Sequence, residues 1–335
     1  MTHSTLSRIV SSAMAIAALS LAAVVAAQPA AADRPELPVP YTFMSGAVKE
    51  ITQPGAPLAG ANDWSCQTTE AHPRPVVLVH GTFGGGADNW ATLGPLLHNE
   101  GYCVFTLTYG NHADADWPLS AVGGVRSIPD VSVPAVAEFV DSVLAATGAD
   151  QVDLVGHSQG TLVSGDVAKR QRPGRVGSVV SLAGPWEGTG QGFTERLLDD
   201  HTRTSLEGSP LESIPHMLSG SEYLEGLYGT EGTPYAQGVS YTNISTRYDE
   251  AVIPFTSGQL PGPDVPGYAV TNIVVQDGCE ADWSDHASLP SSPRAADFVL
   301  NALDPAHPRT PRCASTAPLH GAIGAVPANP APPTS

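Results

Sequence analysis

Lysine is nearly missing from this 335-residue sequence, which has only Lys49 and Lys169. Charged residues of all kinds make up 14%, and 33 acids against 15 Lys and Arg leave a formal charge of −18. Gripping a phosphate backbone takes clustered positive side chains, so nucleic acid is excluded as a partner. The four cysteines, Cys66, Cys103, Cys279 and Cys313, contain no CxxC pair. That spacing fits zinc poorly, and no metal or other cofactor is expected. Beyond the first thirty residues no apolar run approaches the roughly 20 residues that a membrane span needs. There are no internal repeats.

What is present begins with a three-part leader. A short polar start carrying Arg8 precedes an almost wholly apolar run from Ala13 to Ala27, and Ala30-Ala31-Ala32 offers a small-residue cleavage site. This is the layout of a secretory signal peptide over residues 1–32, with cleavage near Ala32 and an extracellular destination. Export makes an even cysteine count read as two disulfides. Three pairings are open. Cys66–Cys103 and Cys279–Cys313 are favoured because they close local loops, each stabilising by roughly 3–4 kcal/mol in a chain-entropy account.

Residues 33–74, rich in Pro, Gly and Ala, read as an irregular N-terminal arm. Strand and helix patterns then alternate. Pro75 to Gly81, a short apolar run ending in Gly, is a buried strand, Asp88 to Asn99 a helix, and Tyr102 to Tyr109 a strand. A helix starts at the Ser132 cap, with Pro134 in its first turn, and stops at Gly148. Gln151–Val155 is a strand, 160–171 a helix and 176–183 another strand. Such alternation builds a mostly parallel sheet with helices on both faces. The pattern lapses over 187–238, read as a lid or cap inserted after the sixth core strand. It returns with strands at Ser240–Thr246 and Val270–Val275 and a helix from Pro290 to Leu303. The catalytic domain is therefore placed at 75–315, and the Ala/Pro-rich residues 316–335 read as a disordered tail.

The chemistry centres on Gly156-His157-Ser158-Gln159-Gly160, which follows a strand and precedes a helix. That context turns G-x-S-x-G into a nucleophile elbow. A serine hydroxyl near pH 7 needs a base within hydrogen-bond reach, and the chain order of such sites is Ser, then acid, then His. Five histidines follow Ser158. His201 and His216 fall in the insertion, and His307 and His320 near the Pro-rich tail. His286, in the loop between the last strand and the last helix, is the candidate base. The candidate acid is Asp249, just past a strand end. Glu250 beside it is expected to point elsewhere, and Asp277, Asp282 and Asp285 are rivals. A developing oxyanion needs backbone N–H donors. One is expected from Gln159, the other from the loop His80-Gly81-Thr82-Phe83-Gly84-Gly85-Gly86. His80 itself is expected to be structural.

These segments together resemble the lipase branch of the α/β-hydrolases, over roughly residues 70–300. The nearest patterns are the secreted bacterial lipases of the class 2 type and the fungal lipase B type. The resemblance implies that Thr82 supplies the second oxyanion N–H, with a hydroxyl able to add a hydrogen bond. It implies Ser158, Asp249 and His286 as the triad. The expected activity is hydrolysis of triacylglycerols or other apolar esters by a monomer, with residues 211–228 either meeting a lipid–water interface or simply covering the core. A general carboxylesterase, an acyltransferase or a polyester hydrolase would use the same triad. A noncatalytic binding protein is the reading from another class, disfavoured because no triad member is missing.

Overall fold

The structure, a computed structural model, describes residues 35–53, 55–117, 120–190, 209–260 and 269–328. The leader assigned to 1–32 lies outside them, as does 191–208 of the insertion. Among the described residues no helix is long and apolar enough to cross a membrane.

Six parallel strands form the central sheet: β1 (Val76–Val79), β2 (Val104–Thr106), β3 (Val152–His157), β4 (Val176–Leu182), β5 (Ser240–Ser245) and β6 (Ala269–Val274), in spatial order β2-β1-β3-β4-β5-β6. The inner strands are apolar runs because both faces are covered. Val77, Val79, Leu154 and Val179 turn to one side, while Val76, Leu78, Val155 and Val180 turn to the other. The first side is packed by α3 (Val133–Thr147) and α4 (Gln159–Asp166), through Val136, Val140, Leu162 and Val163. The second is packed by α2 (Leu93–Asn99) and the helix Pro293–Leu303, through Leu93, Leu97, Val299 and Leu300. Period-two alternation in the strands thus meets period-3.6 stripes in the helices. Gly148 closes α3 at φ 70°, a left-handed cap that glycine adopts without steric cost.

Several expectations are corrected. The arm is not wholly irregular, since its proline-free stretch Phe43–Thr52 forms a helix, α1. Among the described residues of the arm no strand forms, so 187–238 follows the fourth strand described in this sheet rather than a sixth. Nor is the described part of the tail disordered. Thr316–Ala317 (β7) pairs antiparallel with Gly321–Ala322 (β8). Ala/Pro-rich composition offers few side chains to pack, but backbone bonds hold this segment. The Trp283 N–H donates to the Thr316 carbonyl at 3.0 Å, and the Phe43 N–H to that of His320 at 2.8 Å. Both favoured disulfides are formed, with Cα–Cα separations of 5.8 Å for Cys66–Cys103 and 5.4 Å for Cys279–Cys313.

The described residues of 187–238 cover the core. Met217, Leu218, Leu224 and Leu227 are buried, while Leu211 and Ile214 are half-buried. Lys169 anchors this cover. Its Nζ donates to the carbonyls of Leu227 (3.0 Å) and Tyr228 (3.2 Å), the last two residues of the helix Glu222–Tyr228, and of Thr233 (2.7 Å) beyond it, and pairs with Glu231 at 3.3 Å. A cation at a helix C-terminus satisfies carbonyls that the helix itself cannot. Lys169→Met, which keeps the stem and deletes these bonds, is expected to cost about 2–3 kcal/mol. A urea midpoint equal to wild type would refute this role.

Candidate active site

Ser158 stands between β3 and α4 at φ 53°, ψ −126°. A non-glycine residue at positive φ is uncommon and strained, and such strain gathers at functional turns. The flanking glycines make the turn possible. A Cβ on Gly160 would lie 2.0 Å from the Val79 carbonyl oxygen, and one on Gly156 would lie 2.7 Å from the Gly160 backbone. Strand β1 therefore runs against the turn closely enough to forbid any side chain at Gly160.

Asp249 and His286 arrive from loops beyond β5 and β6. His286 Nδ1 is 2.9 Å and 3.1 Å from the two Asp249 carboxylate oxygens, with the His286 side chain 12% and the Asp249 side chain 2% exposed. A carboxylate only accepts, so Nδ1 carries the proton of this bond and Nε2 of the neutral ring is left as the base. Burial draws the His286 pKa down. The charge and hydrogen bond of Asp249 outweigh it, helped by Glu250 and Asp285, and the net shift is upward. Asp249 is itself fixed, its Oδ1 accepting the N–H groups of Ala251 (3.0 Å) and Val252 (2.7 Å).

The rival acids are engaged elsewhere. Asp277 pairs with Arg247. Asp282 accepts from Ser284 and Ser292, and Asp285 from Ser288 and from the Leu319 N–H. Glu250 departs from expectation. Rather than pointing away, its Oε2 accepts the His286 backbone N–H at 3.1 Å. Side-chain direction in a loop follows no periodicity, so nothing in the sequence signalled this contact.

Ser158 and His286 line one cavity of about 260 Å³ with Thr82, Phe83, Pro185, Thr189, Ile214, Met217, Leu218, Ala251 and Val252. Its wall is mostly apolar, and the insertion supplies Ile214, Met217 and Leu218. The Met217 thioether is 3.7 Å from Thr82 Oγ1 and 3.9 Å from Gln159 Nε2, so both expected oxyanion residues meet the same covering side chain. Sequence reading did not assign Met217 to the site.

The glycine loop before the cavity is held from beneath. Asn89 Oδ1 accepts the Gly81 N–H at 2.9 Å, and Asp88 Oδ1 the Gly85 N–H at 2.6 Å. Burial raises the Asp88 pKa to about 6. His80 is buried beneath the loop, stacked on Tyr109 and 2.8 Å from the Gly81 carbonyl oxygen. Burial lowers its pKa to about 4, which keeps it neutral and leaves it as a brace.

The structure thus joins a parallel sheet, a strained serine at a strand–helix turn and a His–Asp pair from later loops. Residues 74–209 match the family model described as the alpha/beta hydrolase fold. The structure of Aspergillus fumigatus lipase B superposes with a TM-score of 0.54 at 18% identity, covering 76% of this chain and 56% of that one. The chain has the α/β-hydrolase fold. Among curated relatives, this chain is 33% identical over 144 residues to a triacylglycerol lipase of Burkholderia plantarii, spanning 42% of this chain and 36% of the relative. It is also 33% identical over 127 residues to a triacylglycerol lipase of Pseudarthrobacter phenanthrenivorans, spanning 36% of each. The alignments thus cover about a third of the length of these relatives.

Proposed function

We propose that this α/β-hydrolase is a secreted serine hydrolase of apolar carboxylic esters, triacylglycerols included. One observation carries the reading: the strained Ser158 and the Asp249-bound His286 share the wall of one apolar cavity. In this reading His286 Nε2 takes the Ser158 proton as Oγ attacks the ester carbonyl. Asp249 holds the ring and stabilises the imidazolium. The backbone N–H groups of Thr82 and Gln159 receive the oxyanion. His286 then protonates the departing alcohol, and water attacks the acyl-enzyme by the same route in reverse. The curated relatives named as triacylglycerol lipases support the substrate class. Secretion is supported by the leader pattern and by two disulfides, which persist in oxidising compartments.

A second reading, an esterase of short acyl chains, draws support from the cavity. Its volume of about 260 Å³ is below the roughly 300–1,000 Å³ of sites for drug-sized ligands. Hydrolysis rates across p-nitrophenyl esters from acetate to palmitate test both. Palmitate turnover rivalling butyrate, and rising once substrate aggregates, is the lipase result. A sharp fall beyond butyrate is the esterase result. No turnover of any ester overturns the proposal.

A further inference from the structure

We infer that Glu250 is a positioning residue that acts through His286, fastening the backbone of the base to the loop that carries the acid. The inference rests on the reading of His286 as the base. The acid loop offers two successive carboxylates, and each takes a different part of one residue. Asp249 takes ring Nδ1, and Glu250 Oε2 accepts the His286 backbone N–H at 3.1 Å. The peptide is held from the far side as well. The His286 carbonyl oxygen lies 3.0 Å from Nε2 of His157, the residue preceding Ser158. A carbonyl only accepts, so His157 donates there. Ring, N–H and carbonyl of His286 are thus tied to the acid, the acid loop and the nucleophile turn. Three anchors fix where Nε2 points, and a base displaced by 1 Å can lose about 100-fold in rate.

Glu250 acts by geometry and by charge, and the two are separable. Its side chain is exposed. Its charge is therefore screened by salt, while its hydrogen bond to the amide is not. The groups facing His286 are Asp249 and Glu250 from the acid loop, Asp285 from its own loop and His157 from the nucleophile turn, with His80 behind His157. The three acids favour protonated His286. His157 is held neutral, its pKa pushed well down by burial and then by the charge of His286.

The test uses the full chain with Glu250→Gln and Glu250→Ala. Two quantities are followed against pH: kcat and KM on p-nitrophenyl butyrate, and the His286 ring proton by NMR, assigned by its loss in His286→Gln. The Gln variant keeps an acceptor for the amide. Its plateau kcat is expected within about twofold of wild type, while its acidic limb and the His286 titration move to lower pH. Raising salt should shrink that difference. The Ala variant loses the bond as well, and its plateau kcat is expected to fall about tenfold with KM within about twofold. An unchanged plateau in Ala, or an unmoved His286 titration in Gln, overturns the inference. If wild type hydrolyses no ester, the hydrolase reading fails, and the NMR titration still decides the hold of Glu250 on His286.

Discussion

Ser158→Ala is expected to lower kcat for ester hydrolysis by about 10⁶-fold and to abolish covalent labelling by a fluorophosphonate. The magnitude follows from what alanine removes and what it leaves. It removes the only atom in the elbow able to form an acyl bond. It leaves the oxyanion donors and the cavity, which alone sustain a residual acceleration of about 10³–10⁴ over water in serine hydrolases. Alanine adopts φ 53° with the same difficulty as serine, so the turn should persist. The thermal midpoint is therefore expected to stay within a few degrees of wild type. Retained labelling in a folded Ser158→Ala protein would place the nucleophile elsewhere. Gly160→Ala gives the contrasting case: its Cβ would strike the Val79 carbonyl, so the loss there should come with loss of the fold.

Asp249→Asn is expected to cost about 10⁴ in kcat near neutral pH. Oδ1 of Asp249 is committed to the Ala251 and Val252 N–H groups. An asparagine would keep its oxygen there and put its NH₂ in the place of Oδ2, which lies 3.1 Å from His286 Nδ1 against 2.9 Å for Oδ1. Where Nδ1 accepts from that NH₂, the ring proton moves to Nε2 and proton uptake from Ser158 is blocked, a tautomer that the carboxylate does not allow. The pH profile carries a separate signature. The base works only when neutral, and the folded environment raises the His286 pKa, so activity in wild type is lost as pH falls through that raised value. Without the Asp249 charge, burial dominates and the pKa drops. The remaining activity of the variant should therefore persist to lower pH than that of wild type. An acidic limb that does not move would mean that Asp249 leaves the protonation of His286 unchanged.

The parts of this molecule that could be read from sequence are those governed by local rules. Val76–Val79 is an apolar run between Pro75 and His80-Gly81, and Val152–His157 carries Val152, Leu154 and Val155 ahead of the elbow; both form strands of the sheet. The elbow was legible because its two glycines are dictated by contacts within a few residues and one neighbouring strand. Asp249 and His286 were legible through chain order, and the structure brings them within hydrogen-bond distance. What escaped depends on contacts between distant segments. Helix α1 packs in a stretch whose surroundings are rich in proline, which masked its own lack of it. The hairpin of β7 and β8 has little apolar surface and is held by backbone bonds to residues 281–283 and 41–43. Glu250 and His157 reach the base through its peptide, and a peptide group has no sequence signature. The placement of Met217 over Thr82 and Gln159 depends on how the insertion folds back, where no motif applies.

The tail hairpin ties the first described segment of the chain to the last. The Phe43 N–H donates to His320, the Ala322 N–H donates to Tyr41, and Thr42 bridges to Gly321. Residues 41–43 thus add backbone bonds to the far side of the β7–β8 hairpin, and the same hairpin reaches the loop of His286 through Trp283 and Asp285. The backbone is in effect a ring fastened beside its own base. A protease that trims inward past residues 41–43 is therefore expected to strip backbone partners from the hairpin, which itself borders the loop of His286.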